Sequence, residues 1–251
     1  LTQLFCRLHG TEGRTLPGTV TQLAIAPTVR QQLQEKGLGL RIVEDFFWMW
    51  QVISPARVAR KLGISEAELS KSLQYNTSAI DEALSTGYVN CFTVDASDLL
   101  DRGSSSLDSV RLKGEFERFS PAHDELLSRY AGRTFEFRGR ERFSLRIAEA
   151  QAMRLALRYG RGMAVSGQIY DYIRERMGRP FGFEISLDET KEGTEEEELL
   201  FYLSEWKSAG RHVDFVAPNI GFRKRMDFHG DLRSLERRVA RLSEISKSFG
   251  A

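Results

Sequence analysis

The chain has 251 residues, 41% of them hydrophobic and 28% charged, and a formal net charge of +1. The length suits one large domain or two small ones, the composition is that of a folded soluble protein, and the balanced charge gives no electrostatic reason to expect a nucleic-acid or anionic-membrane partner. Cys6 and Cys91 have neither zinc-site spacing nor the number for a disulfide framework, which fits a reducing cytoplasm, and no apolar run or N-terminal leader pattern points to a membrane or to secretion.

Residues 1–45 are mixed, with short strands expected at 20–25 and 38–43 and a helix over 27–36 stopped by Gly37. The run Phe46-Phe47-Trp48-Met49-Trp50 suits a core or a contact surface. Ser54-Pro55 is an N-cap followed by proline at the first helical position, and it opens a helical segment over 54–86. Within it, 57–69 has the form of a helix-turn-helix with Gly63 in the turn. Glu66 and Glu68 on its second helix suit a phosphate-facing surface poorly, so two simply packed helices are the competing reading.

A strand is expected over 87–95, ending at Asp95. The Ser/Gly-rich stretch 101–114 reads as a loop, and 116–143 is polar and basic without a clear period. Residues 144–159 predict a helix, and 167–177 a second one ending at Gly178 and Pro180. The run 181–188 is a strand whose side chains alternate. Phe181, Phe183, Ile185 and Leu187 share one face, while Glu184, Ser186 and Asp188 share the other. Carboxylates on a buried strand are costly unless paired, solvated or bound to a metal. Thr194-Glu195-Glu196-Glu197 has the pattern of a capping box for a helix that ends at Gly210. A strand over 213–218 and an Asp231-capped helix carrying Leu235, Val239, Leu242, Ile245 and Phe249 complete the pattern.

Strand–helix–strand–helix with short links implies parallel strands and right-handed crossovers. Polar groups gather at the C-terminal strand ends, as at the rim of a TIM barrel. No glycine-rich phosphate turn of either common form is present. The expected fold is therefore α/β: a partial TIM-like (β/α) barrel preceded by a helical segment, with a mixed, helical part at 1–86 and the barrel portion at 87–251. Because the chain starts at Leu1 and ends at Ala251 just after a helix, a fragment of a longer protein is expected.

The segments Phe183-Glu184-Ile185-Ser186-Leu187-Asp188-Glu189-Thr190, Val213-Asp214-Phe215-Val216-Ala217-Pro218 and Asp227-Phe228-His229-Gly230-Asp231-Leu232, with the capped helix from Thr194, resemble the tagaturonate epimerase family. Phe92-Thr93-Val94-Asp95 resembles a family strand end. The good match covers about 180–251, and a looser one reaches back to about 87. The resemblance implies a TIM-barrel-like enzyme that interconverts D-tagaturonate and D-fructuronate with a divalent metal cation. It also implies a further strand with a His-Ser-Gly-Ser-type motif after the last helix. This chain ends before that strand, so the isolated piece is expected to lack part of its metal site.

Epimerising a ketose acid needs either proton removal and return on opposite faces or a retro-aldol step. Both place negative charge beside the keto group, where a cation can polarise the oxygen. Paired carboxylates can serve as base and acid when their pKa values are pushed apart. Asp95 and Glu189 are the catalytic candidates, with a strand-end cap and a surface loop residue as the competing readings. Glu184, Lys191, Asn219 and Arg223 are candidate contacts for a small sugar-acid substrate, though Glu184 equally suits an ion pair, and solvent suits Lys191 and the run Arg223-Lys224-Arg225 better. Asp188 and His229 are candidate metal ligands, and His229 also suits a structural loop position. His212 lies at a strand start, the wrong end for chemistry. A different barrel sugar isomerase or aldolase, and a sugar-responsive regulator using the 54–73 segment, are the alternatives. Oligomeric state is not assigned.

Overall fold

A computed structural model describes residues 49–53, 77–78, 80–81, 83–85, 89–101, 103–120, 122–188, 190, 192–221, 228 and 230–251. The helix-turn-helix reading over 54–73 and the strands and helix expected before residue 45 lie outside these residues. The described elements are β1 (Met49–Ile53), β2 (Cys91–Asp95), α1 (Ser109–Phe119), α2 (His123–Tyr130), β3 (Thr134–Arg138), β4 (Arg142–Arg146), α3 (Glu149–Met177), β5 (Gly182–Leu187), α4 (Glu196–Ser208), β6 (Phe215–Pro218) and α5 (Leu232–Phe249). No helix among the described residues is long and apolar enough to cross a membrane.

The fold is mixed α/β, with a sheet of order β1-β2-β5-β6 in which three strands run parallel, and a separate two-stranded hairpin, β3-β4. The chain divides into two compact units: residues up to Val94 with Tyr172–Phe183, and Asp95–Asp171 with Glu184–Ala251. In the first unit, the Gly182 N–H donates to the Asn90 carbonyl at 2.8 Å, joining the starts of β5 and β2. Phe92 and Phe183 each meet Phe181 edge-on, and the Tyr172 hydroxyl donates to Asp81 at 2.7 Å. In the second unit, β5 pairs in parallel with β6, Glu184 opposite Phe215 and Leu187 opposite Pro218. Along β5, Phe183, Ile185 and Leu187 are fully buried as expected and Glu184 is half-buried, but Ser186 on the polar face is buried as well.

The core of the second unit forms around α4. Its run Leu199-Leu200-Phe201-Tyr202-Leu203, with Trp206, is buried on every side, which marks a helix covered all round. Tyr159 and Tyr170 of α3 meet Tyr202 and Trp206 edge-on at 5.8 and 5.5 Å, and Tyr130 of α2 packs on Phe201 at 4.9 Å. Arg129 grips Glu205 with Nε and Nη2 at 3.1 and 3.0 Å, and the Tyr130 hydroxyl donates to the same carboxylate at 2.6 Å.

Several expectations change. Residues 144–146 belong to β4, and the two helices expected over 144–159 and 167–177 are one continuous helix, α3. Its glycines serve close packing instead of ending it. A β-carbon at Gly162 would stand 3.3 Å from that of Ala96, and one at Gly167 would stand 2.6 Å from Cζ of Arg211. The loop expected over 101–114 gives way to α1 at Ser109, because the Asp108 carboxylate accepts from Val110 N and Arg111 N at 3.1 and 2.9 Å. The unplaced 116–143 stretch holds the rest of α1, α2 and the hairpin. On α5 the Asp231 cap is present, but of the expected stripe Leu242 and Ile245 are buried while Val239 stays 41% exposed.

Candidate functional site

In the second unit, the chain leaves β5 and β6 at their C-terminal ends through two loops that are tied together. Asn219 is the tie. Its backbone N–H donates to Thr194 Oγ1 at 2.9 Å, its Nδ2 to the Thr190 carbonyl at 2.7 Å, and its Oδ1 accepts from Gly221 N at 2.8 Å. The Asn219 carbonyl in turn accepts from Thr194 N at 2.7 Å. Asn219 is 8% exposed, so its amide spends its polar atoms on holding the loops. The Thr190 hydroxyl stands 3.0 Å from the Leu187 carbonyl and 2.8 Å from that of Glu192, closing the turn after β5. The capping box at α4 lies one residue later than expected. Glu195 is the N-cap and Glu198 accepts from its N–H at 3.0 Å, because the Thr194 hydroxyl is taken by Asn219.

Asp188 sits half-buried at this turn and accepts from the Ser186 hydroxyl at 2.6 Å. Asp95 ends β2 fully buried, and its carboxylate accepts from Ser97 N at 2.9 Å, the geometry of a strand-end cap. Glu184 lies mid-strand, half-buried. Glu189, Lys191, Arg223 and His229 lie outside the described residues. Among the described residues no three His, Cys, Asp or Glu side chains converge as a metal site requires. Of the expected ligands only Asp188 is described, and one of its oxygens is engaged by Ser186. Asp188 alone does not make a cation site among the described residues.

A network that sequence reading missed lies beside the same loops. The Asp101 N–H, in the loop after β2, donates to the Arg158 carbonyl at 3.0 Å. Arg158 Nε stands 3.1 Å from Glu198 Oε1, although its N–H is not aimed at a hydrogen-bond acceptor, so the contact is Coulombic. Burial pushes the Glu198 carboxyl above its usual range, partly offset by the Glu195 N–H, the Arg158 charge and the Tyr159 hydroxyl. Burial likewise raises the Tyr159 phenol, with Glu198 adding to it. Deeper in the core, burial pushes the Tyr202 phenol up to about 12. The sequence signal for this network was weak: an Arg-Tyr pair inside a helix, some forty residues from its glutamate.

Because the native Glu198 carboxyl titrates above the unfolded value near 4.5, the native state holds that proton more tightly. Its contribution to stability is present below the unfolded value and declines as pH rises through the native one. Glu198→Gln is neutral throughout and removes that decline. Urea denaturation between about pH 4 and pH 7 should show the wild type losing stability relative to the variant as pH rises. A difference that stays constant with pH contradicts the burial assignment.

A parallel sheet with loops gathered at its C-terminal edge is the layout of a ligand-handling α/β protein. A family model described as UxaE, tagaturonate epimerase, matches residues 74–251, and the chain belongs to that family. The match extends the resemblance read at 180–251 back past residue 87. The native structure of the fructuronate-tagaturonate epimerase UxaE from Cohnella laeviribosi is similar at 26% identity and a TM-score of 0.61, covering 69% of this chain and 35% of that one. Its one-glycerol and two-glycerol complexes share the fold, at 21% and 22% identity and a TM-score of 0.62 each. They cover 80% and 82% of this chain and 44% and 37% of theirs. The chain thus spans 35% to 44% of the length of these structures. No curated protein matches it.

Proposed function

We propose that the chain contributes to the active site of an epimerase acting on ketose uronic acids of the D-tagaturonate and D-fructuronate type. The family match over residues 74–251 carries this reading. In it, the parallel strands are part of a (β/α) barrel, and the substrate lies at the rim formed by the loops after β2, β5 and β6. Glu189 and Asp95 are the acid/base pair, with the buried Asp95 acting from the end of β2. Glu184, Lys191 and Arg223 contact the sugar acid, and Asn219 also serves by holding the two loops in register. Asp188 and His229 would hold a divalent cation, which would supply polarisation of the keto oxygen.

The protein as it is naturally made is expected to convert D-tagaturonate to D-fructuronate. EDTA should suppress turnover by at least about tenfold, and a divalent cation should restore it. Turnover that survives EDTA removes the cation from the reading, and no turnover of either uronate with cation supplied removes the epimerase.

A further inference from the structure

The charge on this chain is balanced overall, but its arginines gather locally. A cleft of about 250 Å³ opens between the β3-β4 hairpin and α5, and four arginines line it: Arg140, Arg233, Arg237 and Arg241. Arg241 forms its floor, with its guanidinium 4.2 Å above the Phe143 ring and 2.8 Å from Glu196. Arg140, at the hairpin turn, is held by Glu236 at 2.6 Å. Arg233 and Arg237 are exposed, and no hydrogen bond or ion pair engages either guanidinium among the described residues, although the Asp231 charge is felt at Arg237. Glu141 and Glu244 also reach the cleft, and the Glu244 carboxylate occupies the space that a side chain at Gly139 would take.

Two elements here carry self-repelling charge. Arg233, Arg237 and Arg241 follow one another at four-residue spacing on one helix face, where like charges destabilise. Across the hairpin, Arg138 pairs directly with Arg142, also a destabilising like-charge pair, and neither has another partner among the described residues. That hollow, lined also by Glu136 and Ser144, shares Phe143 with the cleft. An oxyanion in the cleft relieves the repulsion along α5, and planar guanidinium forks match carboxylate and phosphate oxygens in pairs.

We propose that the cleft between the hairpin and α5 binds a small multivalent oxyanion, a phosphate or carboxylate compound, with Arg233 and Arg237 as its principal contacts. The cleft adjoins the sheet-end loops, since Arg237 also lines a hollow with Thr194 and Glu195, but the inference does not rest on the epimerase reading. The test is calorimetric titration of the 251-residue chain with inorganic pyrophosphate and, separately, with citrate, each against sodium chloride at equal ionic strength. The two arms distinguish a phosphate from a carboxylate ligand. Saturable binding of at least one is expected, weakened about tenfold or more in the double variant Arg233→Ala/Arg237→Ala. The exposed Arg179→Ala, outside the cleft, should bind as the wild type does. The proposal is overturned if neither anion binds beyond the chloride control, or if the double variant keeps wild-type affinity. Both replaced side chains are exposed, and a thermal melt confirms that the variant is folded.

Discussion

Trp206→Ala is expected to cost about 3–5 kcal/mol of stability. Trp206 is 1% exposed. Its ring is met edge-on by Tyr170 at 5.5 Å, stacks with Tyr202 at 6.3 Å, and lies under the Arg211 guanidinium at 5.3 Å. Its indole N–H donates to the His212 carbonyl at 2.9 Å, which anchors the segment leading into β6. Alanine therefore leaves a cavity between α3 and α4 and frees the approach to β6. For a domain of this size the loss corresponds to a drop in Tm of about 6–20 °C. Trp206→Phe keeps most of the buried ring and loses the hydrogen bond, so about 1–2 kcal/mol is expected there. Urea denaturation of the three proteins checks this. A loss below about 1 kcal/mol for alanine would mean that the aromatic cluster on α4 does not hold the unit together.

Where a short-range rule decides an element, the sequence was readable. The two-residue period of β5 placed Phe183, Ile185 and Leu187 inward, and the Asp231 carboxylate caps α5 as its position predicts. Where a residue's role is set by a partner far along the chain, it was not. The break expected between residues 159 and 167 is absent from α3, whose Gly162 makes room for Ala96 and whose Gly167 makes room for Arg211. Thr194 has the form of an N-cap, but its hydroxyl is claimed by Asn219, which moves the capping box to Glu195 and Glu198. The hairpin is short and rich in arginine, so its alternation shows only as the inward Phe137 and Leu145 between polar neighbours.

The candidate site follows the same division. The carboxylates at the strand ends could be picked out from alternation and acidity, and Asp95 and Asp188 do stand at those ends. The structural work of Asn219 could not, because it depends on Thr190 and Thr194, twenty-five residues and more away, nor could the buried contact of Arg158 with Glu198.

Glu189 follows Asp188 directly, at the end of the strand that β6 and the Asn219 tie hold in place. A glutamine there keeps the size of the side chain and removes both its charge and its capacity to take a proton. If Glu189 moves a proton during epimerisation, kcat should fall by about 10²- to 10⁴-fold, the usual contribution of a positioned acid or base, with KM changing much less. The most direct measurement is therefore the steady-state conversion of D-tagaturonate to D-fructuronate by the naturally made protein and its Glu189→Gln variant, with melting curves showing both equally folded. The account predicts the large loss in kcat. Wild-type kcat in the variant would contradict it and leave the strand-end carboxylates without a part in the chemistry.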